Sequence, residues 1–194
     1  MAKKKKLEFR PDPTGSGFWN KLYITPAQRK KIFRWTLYSL VCVALLVVQD
    51  VILSRLKLFG GVVDIAPCAI MLVCVMEGAE SGGVFALIAS IFYLFSGSAP
   101  GAYCVALIVI PAVAAAIFRQ NFLRRGFGSH WMCTAMAAVV YQMGVFAVGL
   151  LMGYTRLGRV TAFAMNALLA LACLPAVYPL FELISKIGGE KWKE

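Results

Sequence analysis

Charged positions divide this chain into apolar runs, and the longest, Ser81 to Phe118, passes 38 residues without an ionisable Asp, Glu, Lys or Arg. One helix of that length would reach ~57 Å at 1.5 Å per residue, well beyond a ~30 Å hydrocarbon layer, so the run must fold back. Ser96-Gly97-Ser98-Ala99-Pro100-Gly101 supplies the reversal, because Gly tolerates and Pro restricts the backbone angles a turn needs. The same reading along the chain predicts six apolar helices: Phe33 to Leu53, Val62 to Met76, Gly82 to Phe95, Gly101 to Phe118, Trp131 to Met152 and Val160 to Ile184. The second and third are short. Pro111, Pro175 and Pro179 fall inside apolar segments, where each removes a backbone donor and is expected to kink or locally open a helix.

Composition makes the setting a membrane. Sixty per cent of the 194 residues are hydrophobic and 15% are charged, a balance that leaves too little polar surface to cover a water-soluble domain of this size. The fold class expected is therefore all-α: a polytopic integral membrane protein with six transmembrane helices. It divides into a basic tail with an interfacial segment over 1–31, the helical domain over 32–185 and a short tail over 186–194. Pro26 is expected to open a short helix at headgroup level, with Phe18, Trp19 and Tyr23 in the interface beside it. The lysine cluster lies too far from the first apolar run to serve as the n-region of a signal peptide.

Twenty Lys and Arg stand against nine Asp and Glu, but ten of the basic residues fall in the first 34 positions, and most of the rest flank apolar segments. This distribution points to topology and anionic-lipid contact rather than nucleic acid. With the amino terminus inside, inner segments hold sixteen basic residues and outer loops four (Arg55, Lys57, Arg156 and Arg159), which places both termini in the cytosol. Lys3, Lys4, Lys5, Lys6, Arg29, Lys30, Lys31 and Arg34 are the candidates for lipid contact. Each basic residue near an anionic surface is worth about 1 kcal/mol.

Candidate chemistry is sparse. Cys42, Cys68, Cys74, Cys104, Cys133 and Cys173 have no close Cys spacing and no neighbouring His, so they read as small hydrophobes, with no metal or cofactor expected. His130, at the edge of an apolar segment, reads as an interfacial or loop histidine. Asp50, Asp64 and Glu77 sit near the ends of spans, where water access explains a carboxylate; the alternative for Asp50 or Asp64 is a buried pairing with Arg55 or another base. Gln142 and Asn166 are amides deep in the bundle, read as interhelical glue. Gly82, Ala86 and Ser90 form a small-residue face in the third span, which serves either packing within the bundle or a partner helix. No nucleophile with a visible base, phosphate loop or carboxylate pair marks an enzyme.

Ile65-Ala66-Pro67 through Met71-Leu72-Val73, Glu77-Gly78, Ser81-Gly82-Gly83, the Ser96 to Ala102 hairpin and Phe122-Leu123-Arg124-Arg125 together resemble the rod shape-determining MreD family, over about half the chain. The matching positions, Pro67, Gly78, Ser96, Gly97, Pro100 and Gly101, read as structural markers. Two positions depart from the family pattern: Cys68 and Tyr93 stand where members often carry Asp. The resemblance implies an S-component-like bundle in the bacterial cell membrane. It also implies a non-enzymatic scaffold of the cell-elongation machinery, with MreC, the MreB filament, the RodA polymerase and a class B penicillin-binding transpeptidase as partners. The alternative is a substrate-binding S component of an energy-coupling-factor vitamin transporter, which is also a small six-span protein. Such a component needs a buried pocket with several convergent polar groups, and many carry an Ala-x-x-x-Ala face in the first span, where this chain offers Ala44 alone.

Overall fold

The computed structural model describes residues 26–55, 57–58, 61–124 and 126–187. They form six α-helices: α1 (Pro26–Val51), α2 (Ile65–Glu77), α3 (Ala79–Phe95), α4 (Tyr103–Phe122), α5 (Phe127–Leu151) and α6 (Val160–Lys186). Four segments are long and apolar enough to cross a membrane: Gln28–Arg55, Tyr103–Phe122, Phe127–Leu151 and Leu157–Lys186. The helix α2, with 13 residues, extends only ~20 Å, and α3, with 17, only ~26 Å. Between α1 and α2 lies a short 3-10 turn, Leu53–Arg55, and a two-residue antiparallel pair in which Lys57 faces Val62 and Leu58 faces Gly61.

The shortest helix is the centre of the molecule. Every residue of α2 from Ala66 to Val75 is buried, and α2 touches each of the other five helices. A helix that is apolar all round suits lipid and protein surroundings alike, and here the five neighbouring helices enclose it. Pro67 is accommodated in its first turn, where the missing N–H costs no helical hydrogen bond. The other helices are apolar on both sides of the bundle wall. Val84, Ile88, Ile110, Val140, Leu168 and Leu183 remain exposed, as side chains facing hydrocarbon should.

Two junctions need glycine for backbone reasons. Gly78 links α2 to α3 at φ 99°, in the left-handed region, and a Cβ there would collide with the Gln120 side chain. Gly97 turns the hairpin between α3 and α4 at φ 82°. Four residues beyond Gly78, Gly82 brings α3 onto α2: a Cβ at Gly82 would lie 2.6 Å from the Cys74 carbonyl oxygen and 2.7 Å from its Cα. Ala86 and Ser90 continue that buried face, so the small-residue stripe is occupied inside the bundle.

The structure changes several sequence expectations. Pro26 does not open a separate interfacial helix, because α1 runs unbroken from Pro26 to Val51. Arg119, counted among the inner basic residues beyond the fourth apolar segment, lies within the last turn of α4 and is buried. His130 likewise sits buried in the first turn of α5 and not in a loop. Pro111 lies inside α4, and Pro175 and Pro179 inside α6, where the apolar pattern places them.

Candidate functional site

Most of the hydrogen-bonded polar side chains gather towards the two ends of the bundle. At the end where α1 begins, Arg34 Nη2 contacts Glu77 Oε2 at 2.8 Å, and the Tyr38 hydroxyl donates to Glu77 Oε1 at 2.8 Å. The Glu77 side chain is 7% exposed. It is therefore a buried ion-pair partner tying α1 to α2, not the water-accessible interfacial carboxylate that its position in the sequence suggests. Trp35, Tyr38, Phe85 and Phe181 stack around this pair, with ring centroids 5.6–6.4 Å apart.

A second polar link at the same end joins α4 to α5. Arg119 Nη1 lies 2.7 Å from His130 Nε2, and His130 Nδ1 lies 2.6 Å from the Gly126 carbonyl oxygen. A guanidinium has no acceptor, so Nε2 must accept and Nδ1–H must donate, which fixes one neutral tautomer of the imidazole.

At the opposite end, beneath the hairpin, lies the richest polar cluster. Gln49 Nε2 donates to Asp64 Oδ1 at 2.6 Å, and Gln49 Oε1 accepts the Ala66 N–H at 2.7 Å, capping the start of α2 with a side chain from α1. Tyr93 Oη donates to Asp64 Oδ2 at 3.0 Å, and the Tyr141 phenol adjoins both groups. Tyr93 stands where the resemblance led us to expect a carboxylate, and its hydroxyl meets one supplied by Asp64. Ser98 of the hairpin donates to the Asp50 carboxylate, and the Ser96 hydroxyl donates to the Tyr93 carbonyl at 2.9 Å. Neither Asp50 nor Asp64 forms an ion pair among the described residues, so the expected alternative of pairing with Arg55 gives way to neutral donors.

These groups border a cavity of about 410 Å³, whose wall includes Gln49, Asp64, Tyr93, Tyr141, Gln142 and Asn166. Gln142 was read from the sequence as interhelical glue. It is 6% exposed, its side-chain amide makes no hydrogen bond among the described residues, and it lines the cavity. Asn166 is half-buried in the same wall. The sequence carried one usable signal for this site: Gln49, Asp64, Tyr93, Tyr141, Gln142 and Asn166 all lie in or beside apolar runs. Their convergence depends on helix rotation, which the pattern does not specify.

The remaining predicted positions are dispersed. Pro100 is exposed in the hairpin, and Gly101 sits against the Tyr103 ring. Arg29, Lys30 and Lys31 are exposed on the first turns of α1, whereas Arg34 is committed to Glu77. Lys3, Lys4, Lys5 and Lys6 lie outside the described residues. An apolar groove of about 580 Å³ opens between α1 and α3, lined by Cys42, Leu46, Val84, Phe85 and Ile88 among others.

No family model, curated protein or solved structure matches this chain.

Proposed function

We propose that this protein is a non-enzymatic membrane scaffold of the bacterial cell-elongation complex, a member of the MreD family. It would cross the plasma membrane six times with both termini in the cytosol, bind MreC, and connect to the MreB filament, the RodA polymerase and a class B penicillin-binding transpeptidase. The observation that carries this reading is the placement of the resembling residues. Pro67 opens the central helix, Gly78 makes the left-handed junction, and Ser96 and Gly97 form the hairpin, so the motif positions coincide with the joints of the bundle. In addition, the buried groups Glu77, Arg119 and His130 and the partly buried Arg34 hold helices to one another. The lipid-facing walls, the hairpin and the basic start of α1 are then the surfaces left for partners and anionic lipid.

Depletion of the protein in its native host, which the proposal requires to be a rod-shaped bacterium, tests the proposal. Progressive rounding of cells before growth arrest is the expected result; cells that keep their width and length distribution contradict it.

The cavity beneath the hairpin favours a second reading, an S component of an energy-coupling-factor transporter, since convergent polar groups around a half-open concave space suit a small ligand. Copurification with an energy-coupling transmembrane partner and its ATPases, in place of elongation proteins, distinguishes it.

A further inference from the structure

We propose that the cavity beneath the hairpin binds a small organic cation through a protonated amine, with Asp64 as the counter-ion and Gln142 as a hydrogen-bonding partner. This is a binding site that the scaffold reading does not use, and it stands or falls independently of that reading. For the transporter reading it would name the ligand class.

Three features of the site point to a cation. Asp64 is held by the Gln49 amide and the Tyr93 hydroxyl, both neutral, and no described Lys or Arg lines the cavity or pairs with it. The Asp50 carboxylate lies close by, engaged by the Ser98 hydroxyl, so the end of the bundle carries two acidic groups without a fixed counter-charge among the described residues. A carboxylate partly withdrawn from water gains most from a partner that brings charge and N–H donors together.

A second group of observations selects an organic amine. Tyr93, Tyr141 and Phe163 contribute aromatic surface, which attracts an ammonium group and also covers a hydrocarbon body. Gln142 is more than nine-tenths buried, and its unpartnered amide faces the same space, where a ligand with a second polar group would satisfy it. Among the described residues no three His, Cys, Asp or Glu side chains gather as they would for a metal ion. The volume of about 410 Å³ admits a compact organic molecule.

Such an amine could be free in solution or belong to a lipid headgroup, and the test separates the two. The full-length protein, purified in detergent, is titrated calorimetrically with tyramine and with 4-ethylphenol, which has the same body without the amine. Saturable binding of tyramine, and none of 4-ethylphenol at equal concentration, is expected. Asp64→Asn should weaken tyramine binding at least about tenfold, the loss associated with a charge-assisted hydrogen bond. Tyramine binding is then repeated in phosphatidylethanolamine and phosphatidylglycerol nanodiscs. Competition confined to the former identifies a headgroup amine as the occupant, and equal binding in both identifies a free amine. Equal affinity for tyramine and 4-ethylphenol, or no saturable tyramine binding, overturns the proposal, as does parent-like binding by a folded Asp64→Asn variant. If Asp64→Asn elutes aggregated, Gln142→Leu takes its place, since it leaves the bonds of Asp64 intact; unchanged tyramine affinity in that variant also overturns the proposal.

Discussion

At the scale of single residues, the bundle places its costliest groups where they bond to one another. Moving an apolar side chain from lipid to protein gains little, because both surroundings are apolar, so specific polar links and close packing carry more of the stability than they do in water. Arg34, Tyr38 and Glu77 form such a link. Removing one partner leaves the other buried without a counter-charge, whereas removing both leaves only a packing defect. Glu77→Ala is therefore expected to destabilise the protein by about 3 kcal/mol, and the Arg34→Met, Glu77→Leu pair to recover most of that loss, as read by unfolding in mixed micelles. A double variant no more stable than Glu77→Ala contradicts the ion-pair account. These roles were only partly legible in the sequence. Glu77 and Arg119 each end an apolar run, which marks them as boundary residues, but 43 positions separate Glu77 from Arg34 and only the folded chain brings them together.

The helices themselves were well marked by the pattern. Six apolar segments, the reversal at Ser96 to Gly101 and the shortness of the second and third helices all appear in the fold. The rank of α2 as the buried centre did not show, for a physical reason: in a membrane protein a lipid-facing side and a protein-facing side are both apolar, so amphipathic periodicity no longer reports burial. The better sign is the size of the side chains. Gly82 lets α3 approach the α2 backbone so closely that any larger residue must separate the two helices. Gly82→Val is expected to cost at least about 2 kcal/mol through overpacking, while Gly128→Ala, where a Cβ meets nothing within 4 Å, should leave stability nearly unchanged. Equal melting behaviour of the two variants contradicts the close α2 and α3 contact. At the hairpin, Gly97→Val forces a β-branched residue to φ 82° and should cost about 1–2 kcal/mol, measured in the same way.

For the whole molecule, the polar links alternate between two ends: Arg34 with Glu77 and Arg119 with His130 at one, Gln49 with Asp64 and Ser98 with Asp50 at the other. The proposed topology assigns the first end to the cytosol. Cysteines introduced in a cysteine-free background report this directly. Tyr154→Cys, at the hairpin end, should react with an impermeant maleimide in intact cells, and Gly128→Cys only after permeabilisation; the reverse pattern contradicts the assignment. The basic cluster Lys3 to Lys6 belongs to the same question. Replacing those four lysines with Gln should weaken binding of the tail to anionic vesicles at low salt, and unchanged binding removes the proposed lipid role. The scaffold account as a whole meets its most direct test in affinity purification of the full-length protein from its native membranes, with copurifying proteins identified by mass spectrometry. It predicts recovery of an MreC-like protein with a single membrane span, together with the glycan polymerase and its transpeptidase. Recovery of energy-coupling ATPases instead, or of no elongation protein above the level of an unrelated six-span control, would contradict it.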